Sequence, residues 1–420
     1  MHKGYACIVS DMGHTGKGGD GLWASHNLQA KLDWGYRATH VVALAGKALT
    51  ERFYRQMPTR SYYMGCSTGG RQGLQEAQRF PWDFDGIVAG APPVNLATLY
   101  MTFVWGIRAT HDESGKPVLG AKDLKLLTDA AVAKCDLDDG LKDGIIGDPL
   151  HCNFDPAELT CGAGHQDPCL TPAQVDAAKR VYSGPLTSKG QRLSPGGPVP
   201  GSEYGHWTDE RGAGGPWIQA YVGDDNQRSG YEPLVINGFQ YLFFSPEAGP
   251  SWKLQDFDFD RDYKRLGTME ALYDSSNPDL RQFKQAGGKL LVYQGTNDNS
   301  VLPRSTIDYY ETVERTMGGK AATQDFFRLF VLPGVEHCAG GPGADTVNYL
   351  SYLEAWVERG EAPSQLLAAH LHSRDPLVHP PQFPLDPKLV EFTRPVYPYP
   401  TRVKYKGRGD PKDATHFAPY

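Results

Sequence analysis

The sequence predicts an α/β protein built on a parallel sheet and interrupted by a large insertion. Three observations predict it. Helix-like and strand-like segments alternate from residue 36 to 102, a similar rhythm returns after residue 275, and between the two it is lost. The division that follows is a core formed by residues 1–99 and 275–375, an inserted lid domain at 100–274, and a proline-rich C-terminal strap at 376–420.

Taken in order, "YACIV" (5–9) is strand-like, and "GYRATHVVALAGKALTERFY" (35–54) is helical by its apolar period. "RSYYMG" (60–65) reads as a strand, "RQGLQEAQRF" (71–80) as a helix, and "FDGIVAGAP" (84–92) as a strand ending in a loop. The late half repeats the scheme. "LRQFKQAGGKLLVYQGTND" (280–298) is helix, Gly-Gly turn and buried strand; "IDYYETVERTMGG" (307–319) is a helix; "FFRLFVLPGVEH" (326–337) is a strand; "TVNYLSYLEAWVERG" (346–360) is an amphipathic helix with a glycine stop. The insertion carries four of the seven cysteines and many aromatics, among them Trp207, Trp217, Tyr221, Phe239, Phe243 and Trp252. Those rings either line a pocket or fill a core, and sequence alone leaves both open.

A net charge of −7 with no basic stripe gives no reason to expect nucleic acid or an anionic membrane as partner. No apolar run approaches the roughly 18 residues that would span a bilayer. The opening "MHKGYACIVSDMGH" has no long apolar region and no small-residue cleavage site, so it is not a signal peptide. The cysteines, by contrast, sit in Gly/Asp/Pro-rich sequence without C-x-x-C pairs, which argues for disulfides and an oxidising compartment. Either the true start lies upstream or the cysteines are reduced; the first is the expectation.

Chemistry concentrates at "MGCSTGGRQG" (64–73), where Gly65 and Gly69 bracket Ser67 between a strand and a helix. This is the setting in which G-x-S-x-G lifts a serine hydroxyl clear of the sheet, although the same pattern also serves as an ordinary tight turn. A serine nucleophile needs a base to take its proton and a carboxylate to orient that base, following it in chain order at the ends of later strands. Asp298 and His337 stand just past two such strands. The rival bases His14, His40, His370 and His372, and the rival acids Glu336, Asp325 and Asp345, follow no strand as cleanly. Cys66 and Cys338 are the immediate neighbours of Ser67 and His337, so a bridge between them would hold nucleophile and base within reach. The alternative makes Cys66 a small buried residue beside the turn.

"GCSTGGRQGLQEAQRFPWDFDGIVAGAPPVN", "QGTNDNSVLP" and "GVEHCAGGPG" resemble the tannase and feruloyl esterase family of α/β-hydrolases, and the likeness extends from "GYACIVSDMGHTG" to "RVKYKGRGDPKDATHF". The resemblance implies an α/β-hydrolase core, Ser67 as nucleophile, His337 as general base and then acid, Asp298 as its orienting partner, and a disulfide joining Cys66 to Cys338. It also implies that the Thr68 backbone amide is an oxyanion donor. Within "CDLDDGLKDGIIGDPLHC" (135–152) five aspartates crowd a glycine-bent loop, which suits either calcium or a solvated acidic turn. Here the resemblance implies a structural calcium held by the side chains of Asp136, Asp139 and Asp143 and the carbonyls of Leu141 and Ile145. It pairs Cys135 with Cys152 and Cys161 with Cys169, leaving Cys7 alone.

The chain departs from the family in two places. Family members carry early strands and a glycine-rich loop, the source of one oxyanion amide, ahead of "GYACIVSDMGHTG"; the expectation is therefore a fragment or misplaced start that lacks the N-terminal part of the core. Tyr397 and Pro419 stand where the family has a tail disulfide, so tail anchoring is expected to come from packing. The function expected is a secreted or periplasmic carboxylic ester hydrolase working through an acyl-enzyme. Its substrates would be feruloyl, galloyl or smaller aromatic esters, free or on plant polysaccharide. The competing expectations are a weakly active or inactive truncated product, or a non-catalytic binding protein on the same fold.

Overall fold

The computed structural model describes residues 4–17, 19–162, 168–205, 217–223, 229–372 and 382–420. Strands β1 (Tyr62–Cys66), β2 (Gly86–Gly90), β3 (Lys289–Gly295) and β4 (Phe327–Leu332) form one parallel sheet in that spatial order. Cys66 pairs with Gly90, Gly90 with Tyr293, and Gly295 with Leu332, so the carboxyl ends of the strands share one rim.

Helices α1 (Leu28–Leu32) and α2 (Ala38–Tyr54) precede β1, and α3 (Thr68–Arg79) joins β1 to β2. The predicted helices and strands of the core are thus present, apart from "YACIV", which joins no strand. Its Ile8 lies against Gly46 of α2, and Val9 is 93% exposed. An extended segment becomes a strand only when another strand takes its backbone groups, and none of the described residues does so here. Among the described residues no strand pairs with the outer side of β1, and Met64 within it is exposed.

Strand residues alternate between two buried layers, as a period of two requires. Ile87, Ala89, Leu290 and Val292 face a cluster with Leu74 of α3, Phe283 of α9 (Arg281–Gln285) and Tyr310 of α10 (Pro303–Met317). Val88, Leu291, Phe330 and Leu332 face the other side, against Leu353 of α12 (Tyr349–Arg359) and Leu366 of β5 (Leu366–Leu371). The short α11 (Lys320–Gln324) leads into β4. Truncating Leu291, fully buried between the layers, to alanine would cost about 2–5 kcal/mol.

Between β2 and β3 the chain builds α4 (Leu96–Ala109), α5 (Ala121–Cys135), α6 (Pro172–Ser183), α7 (Tyr231–Tyr241) and α8 (Gly267–Tyr273) around a separate core. Trp217, Tyr221, Phe239, Phe243 and Phe244 are buried in that core. They therefore fill the inserted region, and the pocket-lining alternative does not hold for them. Trp207 lies outside the described residues.

After α12, β5 pairs antiparallel with β6 (Val390–Val396), and β7 (Val403–Tyr405) with β8 (Phe417–Pro419). Residues 376–381 of the expected strap lie outside the described residues. The Tyr399 amide donates to the Leu329 carbonyl at 2.8 Å, covering the free side of β4. Val403 opposite Pro419 holds the tail by backbone pairing, where the family resemblance would have placed a disulfide. Among the described residues, no helix is long and apolar enough to cross a membrane.

Candidate active site

Ser67 sits between the last residue of β1 and the first of α3, with φ 61° and ψ −124°. A non-glycine residue in this region carries backbone strain, of order 1–3 kcal/mol, which persists only where the surroundings hold it. They do so here through the Ser67 amide, which donates to Gly90 at 2.9 Å, and the Arg71 amide, which donates to Ser67 at 3.0 Å. Glycine is demanded at Gly65, where a Cβ would come within 2.8 Å of the Gly69 backbone, and at Gly70, where it would lie 2.2 Å from the Gly90 carbonyl oxygen. Gly69, the second glycine of the motif, has ordinary room.

The two other residues follow β3 and β4 on the same rim. Ser67 Oγ lies 2.8 Å from His337 Nε2, and His337 Nδ1 lies 2.9 Å from Asp298 Oδ2. With Nδ1–H donated to the carboxylate, the Nε2 lone pair faces the serine hydroxyl. Asp298 is 1% exposed, and its Oδ1 accepts the amides of Ser300 at 2.8 Å and Val301 at 2.7 Å. Gln294 Nε2 donates to Oδ2 at 3.1 Å and is itself placed by Thr306 and the Val301 carbonyl. Burial pushes the His337 imidazole down, the Asp298 charge and hydrogen bond push it up, and the balance lies above the ordinary 6.5. Ser67 and His337 are half-buried, so solvent reaches both.

Cys66 and Cys338 form a disulfide with Cα atoms 5.9 Å apart, spanning 272 residues of sequence. Thr68 is the first residue of α3, where a backbone amide has no intrahelical acceptor and remains available. Arg71, one turn on, is fully buried and anchors the helix: its guanidinium donates to the carbonyls of Gly35 at 2.7 Å, Trp34 at 2.9 Å and Tyr273 at 3.0 Å. Burial lowers it to about 10, so it stays charged at neutral pH.

The rival residues are engaged elsewhere. His14 stacks on Trp23, His40 bonds Asp83, His370 donates to the Gly343 carbonyl, and His372 faces Glu391. Asp325 is exposed beside Lys284, and Asp345 accepts the Gly340 amide. Glu336 is buried next to His337, and burial followed by the Asp298 charge pushes it up to about 8.

Sequence reasoning missed Asn299. Its Oδ1 accepts from Trp217 Nε1 at 3.2 Å and Ser202 at 3.0 Å, its Nδ2 donates to the Ser202 carbonyl at 2.8 Å, and its own carbonyl accepts Tyr221 at 2.9 Å. The inserted region thereby grips the loop that carries Asp298. The only local signal was the polar run "NDNS", which also suits a solvated loop.

Cys135–Cys152 and Cys161–Cys169 also form, with Cα separations of 5.7 and 5.0 Å. Within the first loop, Gly140 and Gly144 have φ near 86° and 84°, and Asp136 is buried, accepting the amides of Asp143 and Gly144. Burial, then the charges of Asp143 and Asp136, hold Asp139 up at about 6. Arg394 supplies one compensating charge, pairing with Asp143 at 2.7 Å. Crowded carboxylates with only oxygen donors fit a hard divalent cation.

A doubly layered parallel sheet with serine, histidine and carboxylate meeting on its carboxyl rim defines a protein of the α/β-hydrolase type. The chain belongs to the tannase and feruloyl esterase family, whose model, "Tannase and feruloyl esterase", matches residues 1–419. It is a carboxylic ester hydrolase. It is 33% identical to mono(2-hydroxyethyl) terephthalate hydrolase of Piscinibacter sakaiensis, over 100% of this chain and 74% of that protein. With a probable feruloyl esterase of Arthroderma benhamiae it shares 31% identity over 99% of this chain and 75% of the other. The crystal structure of feruloyl esterase B from Aspergillus oryzae superposes with a TM-score of 0.82 at 30% identity, covering 98% of this chain and 78% of that one. Tannin acyl hydrolase from Aspergillus niger shares the fold, with a TM-score of 0.72 at 20% identity over 94% and 71% of the two chains.

Proposed function

We propose that this chain hydrolyses esters of aromatic carboxylic acids through an acyl-enzyme on Ser67. The observation that carries the reading is the continuous path from Ser67 Oγ to His337 at 2.8 Å and on to Asp298 at 2.9 Å. Ser67 Oγ attacks the ester carbonyl while its proton passes to His337 Nε2, and Asp298 steadies the imidazolium. The tetrahedral oxyanion accepts the Thr68 amide; loss of such a donor typically costs on the order of 10²–10³ in turnover. The C–O bond then breaks, and the alcohol leaves with the proton from Nε2. Water attacks the acyl carbon, returns a proton to Nε2, and Ser67 departs protonated as the acid is released.

Relatives named feruloyl esterase, tannin acyl hydrolase and terephthalate monoester hydrolase support hydroxycinnamoyl, galloyl or terephthaloyl esters, as small molecules or on plant polysaccharide. Residues 100–274 act as the lid, a role supported by the Asn299 contacts with Trp217 and Tyr221. Calcium, held by Asp136, Asp139, Asp143 and the carbonyls of Leu141 and Ile145, would neutralise the acidic loop and take no part in acyl transfer. Three disulfides support a secreted or periplasmic setting. The test is Ser67→Ala assayed on chromogenic feruloyl, galloyl and terephthaloyl esters. We expect kcat to fall roughly 10⁴-fold or more on whichever ester is cleaved; unchanged hydrolysis overturns the reading.

A further inference from the structure

Away from the catalytic rim, a second group of side chains meets in a pattern that the esterase reaction does not use. Among the described residues, the group of three His, Cys, Asp or Glu side chains whose ligand atoms all lie within 4.8 Å of one another is His40, Glu76 and Asp83. The aspartates of the 135–152 loop are not part of it. His40 belongs to α2, Glu76 to α3, and Asp83 to the turn ahead of β2, so the group lies at the amino end of the sheet. Glu76 is nine residues beyond Ser67, about 13 Å along the helix.

What points to a ligand is Glu76 itself. The side chain is 0% exposed, and no protein donor reaches either carboxylate oxygen; its polar neighbour is the Asp83 carboxylate, itself an acceptor, so the two acids meet with nothing but a proton or a cation to join them. A buried carboxylate without donors is costly unless a cation or a proton compensates it. The Lys47 ammonium is close, but it donates to the Asp83 backbone carbonyl and not to Glu76. His40 is already oriented, stacked on Phe80 at 3.9 Å and bonded through Nδ1 to Asp83 Oδ2 at 2.6 Å. Its side chain is 27% exposed, which leaves a path from solvent.

We propose that His40, Glu76 and Asp83 form a structural zinc site that clamps α2, α3 and the turn before β2. One imidazole and two carboxylates match the nitrogen and oxygen donors that zinc accepts at about 2.0–2.2 Å. Calcium is a poor match, because it takes oxygen ligands and not imidazole. Ligands at that range around a tetrahedral ion lie ~3.4 Å apart, so small side-chain rotations close the shell and water completes it. Two carboxylates balance the charge of the ion, and the Glu76 oxygens, which no protein donor reaches, gain a partner. Bound here, the ion would fix the far end of the helix whose first turn holds Ser67.

The test uses the full chain, freed of metal by dialysis against a chelator and titrated with zinc chloride by calorimetry and thermal unfolding. We expect one zinc at this site and a rise in Tm of roughly 3 °C at a hundredfold excess over Kd. The shift should vanish in Glu76→Gln and His40→Ala and persist in Asp139→Asn, which alters only the acidic loop. A Tm shift retained in both cluster variants, or no saturable zinc binding, overturns the proposal. The cluster then holds only a proton shared between Glu76 and Asp83, and Glu76→Gln, whose amide can donate in its place, leaves the metal-free Tm unchanged or higher. If a variant fails to fold, cobalt(II) in the unmodified chain decides. A visible absorption band removed by one equivalent of zinc supports the site, and the absence of such a band overturns it.

Discussion

Asp298 and Glu76 are both carboxylates with at most 1% exposure, yet the protein treats them in opposite ways. Asp298 lies in a loop whose amides turn inward, and it accepts from Ser300, Val301, Gln294 and His337. Glu76 lies in the body of α3, where backbone amides are consumed by the helix and none is left to offer. Burial, then the charge of Asp83 and contact with it, push Glu76 up to about 9, against the opposing pull of Lys47. Depth alone therefore does not decide how a buried carboxylate is satisfied. The supply of donors does, and loops after strands supply them where helix interiors cannot.

The comparison breaks most visibly at Asp298. Asp298→Asn keeps the shape but turns a donor toward His337 Nδ1, and kcat is expected to drop roughly 10³–10⁴-fold in ester hydrolysis. A loss below about tenfold would mean that the acceptor is not what orients the imidazole.

A smaller effect is expected at Glu76, read in chelator as stability against pH. The native chain holds a proton there up to about 9, whereas an unfolded glutamate releases it near about 4.3. The folded state binds more protons in that window, so stability falls as pH rises through it and the loss is complete above about 9. Glu76→Gln should flatten the slope of urea midpoints between pH 6 and 9, with His40, Asp83 and Lys47 still in place; an equal slope in both proteins would refute the assignment.

The smallest change concerns the pH–rate profile. His337 must be neutral to accept the serine proton, so kcat/KM should rise with pH through a midpoint above 6.5. Glu76→Gln, at the other end of α3, should leave that midpoint in place, and a displaced midpoint would show that the two acids are coupled.

The Ser67–His337–Asp298 corner was readable because each of its parts leaves a local mark. Glycines bracket Ser67, apolar runs end just before Asp298 and His337, and a cysteine adjoins two of the three. The sheet was readable for a similar reason, since strands buried on both faces are short unbroken apolar runs. Glu76 was not, because "GLQEAQRF" reads as one face of an ordinary helix, and the residues that meet it, His40 and Asp83, come from α2 and the turn before β2. Asn299 was hidden likewise, its partners lying 78 to 97 residues away in the inserted region. The aromatics of that region carry no period that separates a core ring from a pocket wall, and "YACIV" shows that an apolar run does not supply its own neighbour.

The Cys66–Cys338 bond also puts the enzyme on a timetable. Ser67 is synthesised before His337, and its sulfur-bearing neighbour gains a partner only 272 residues later. At roughly 5–20 residues per second, ribosomes need roughly 14–54 s to make that stretch. The bond that ties the neighbours of Ser67 and His337 together is thus a finishing step, taken after translation has passed Cys338 and only where an oxidant is at hand. An esterase assembled in this order gains its last covalent constraint only once both halves of the sheet have been made.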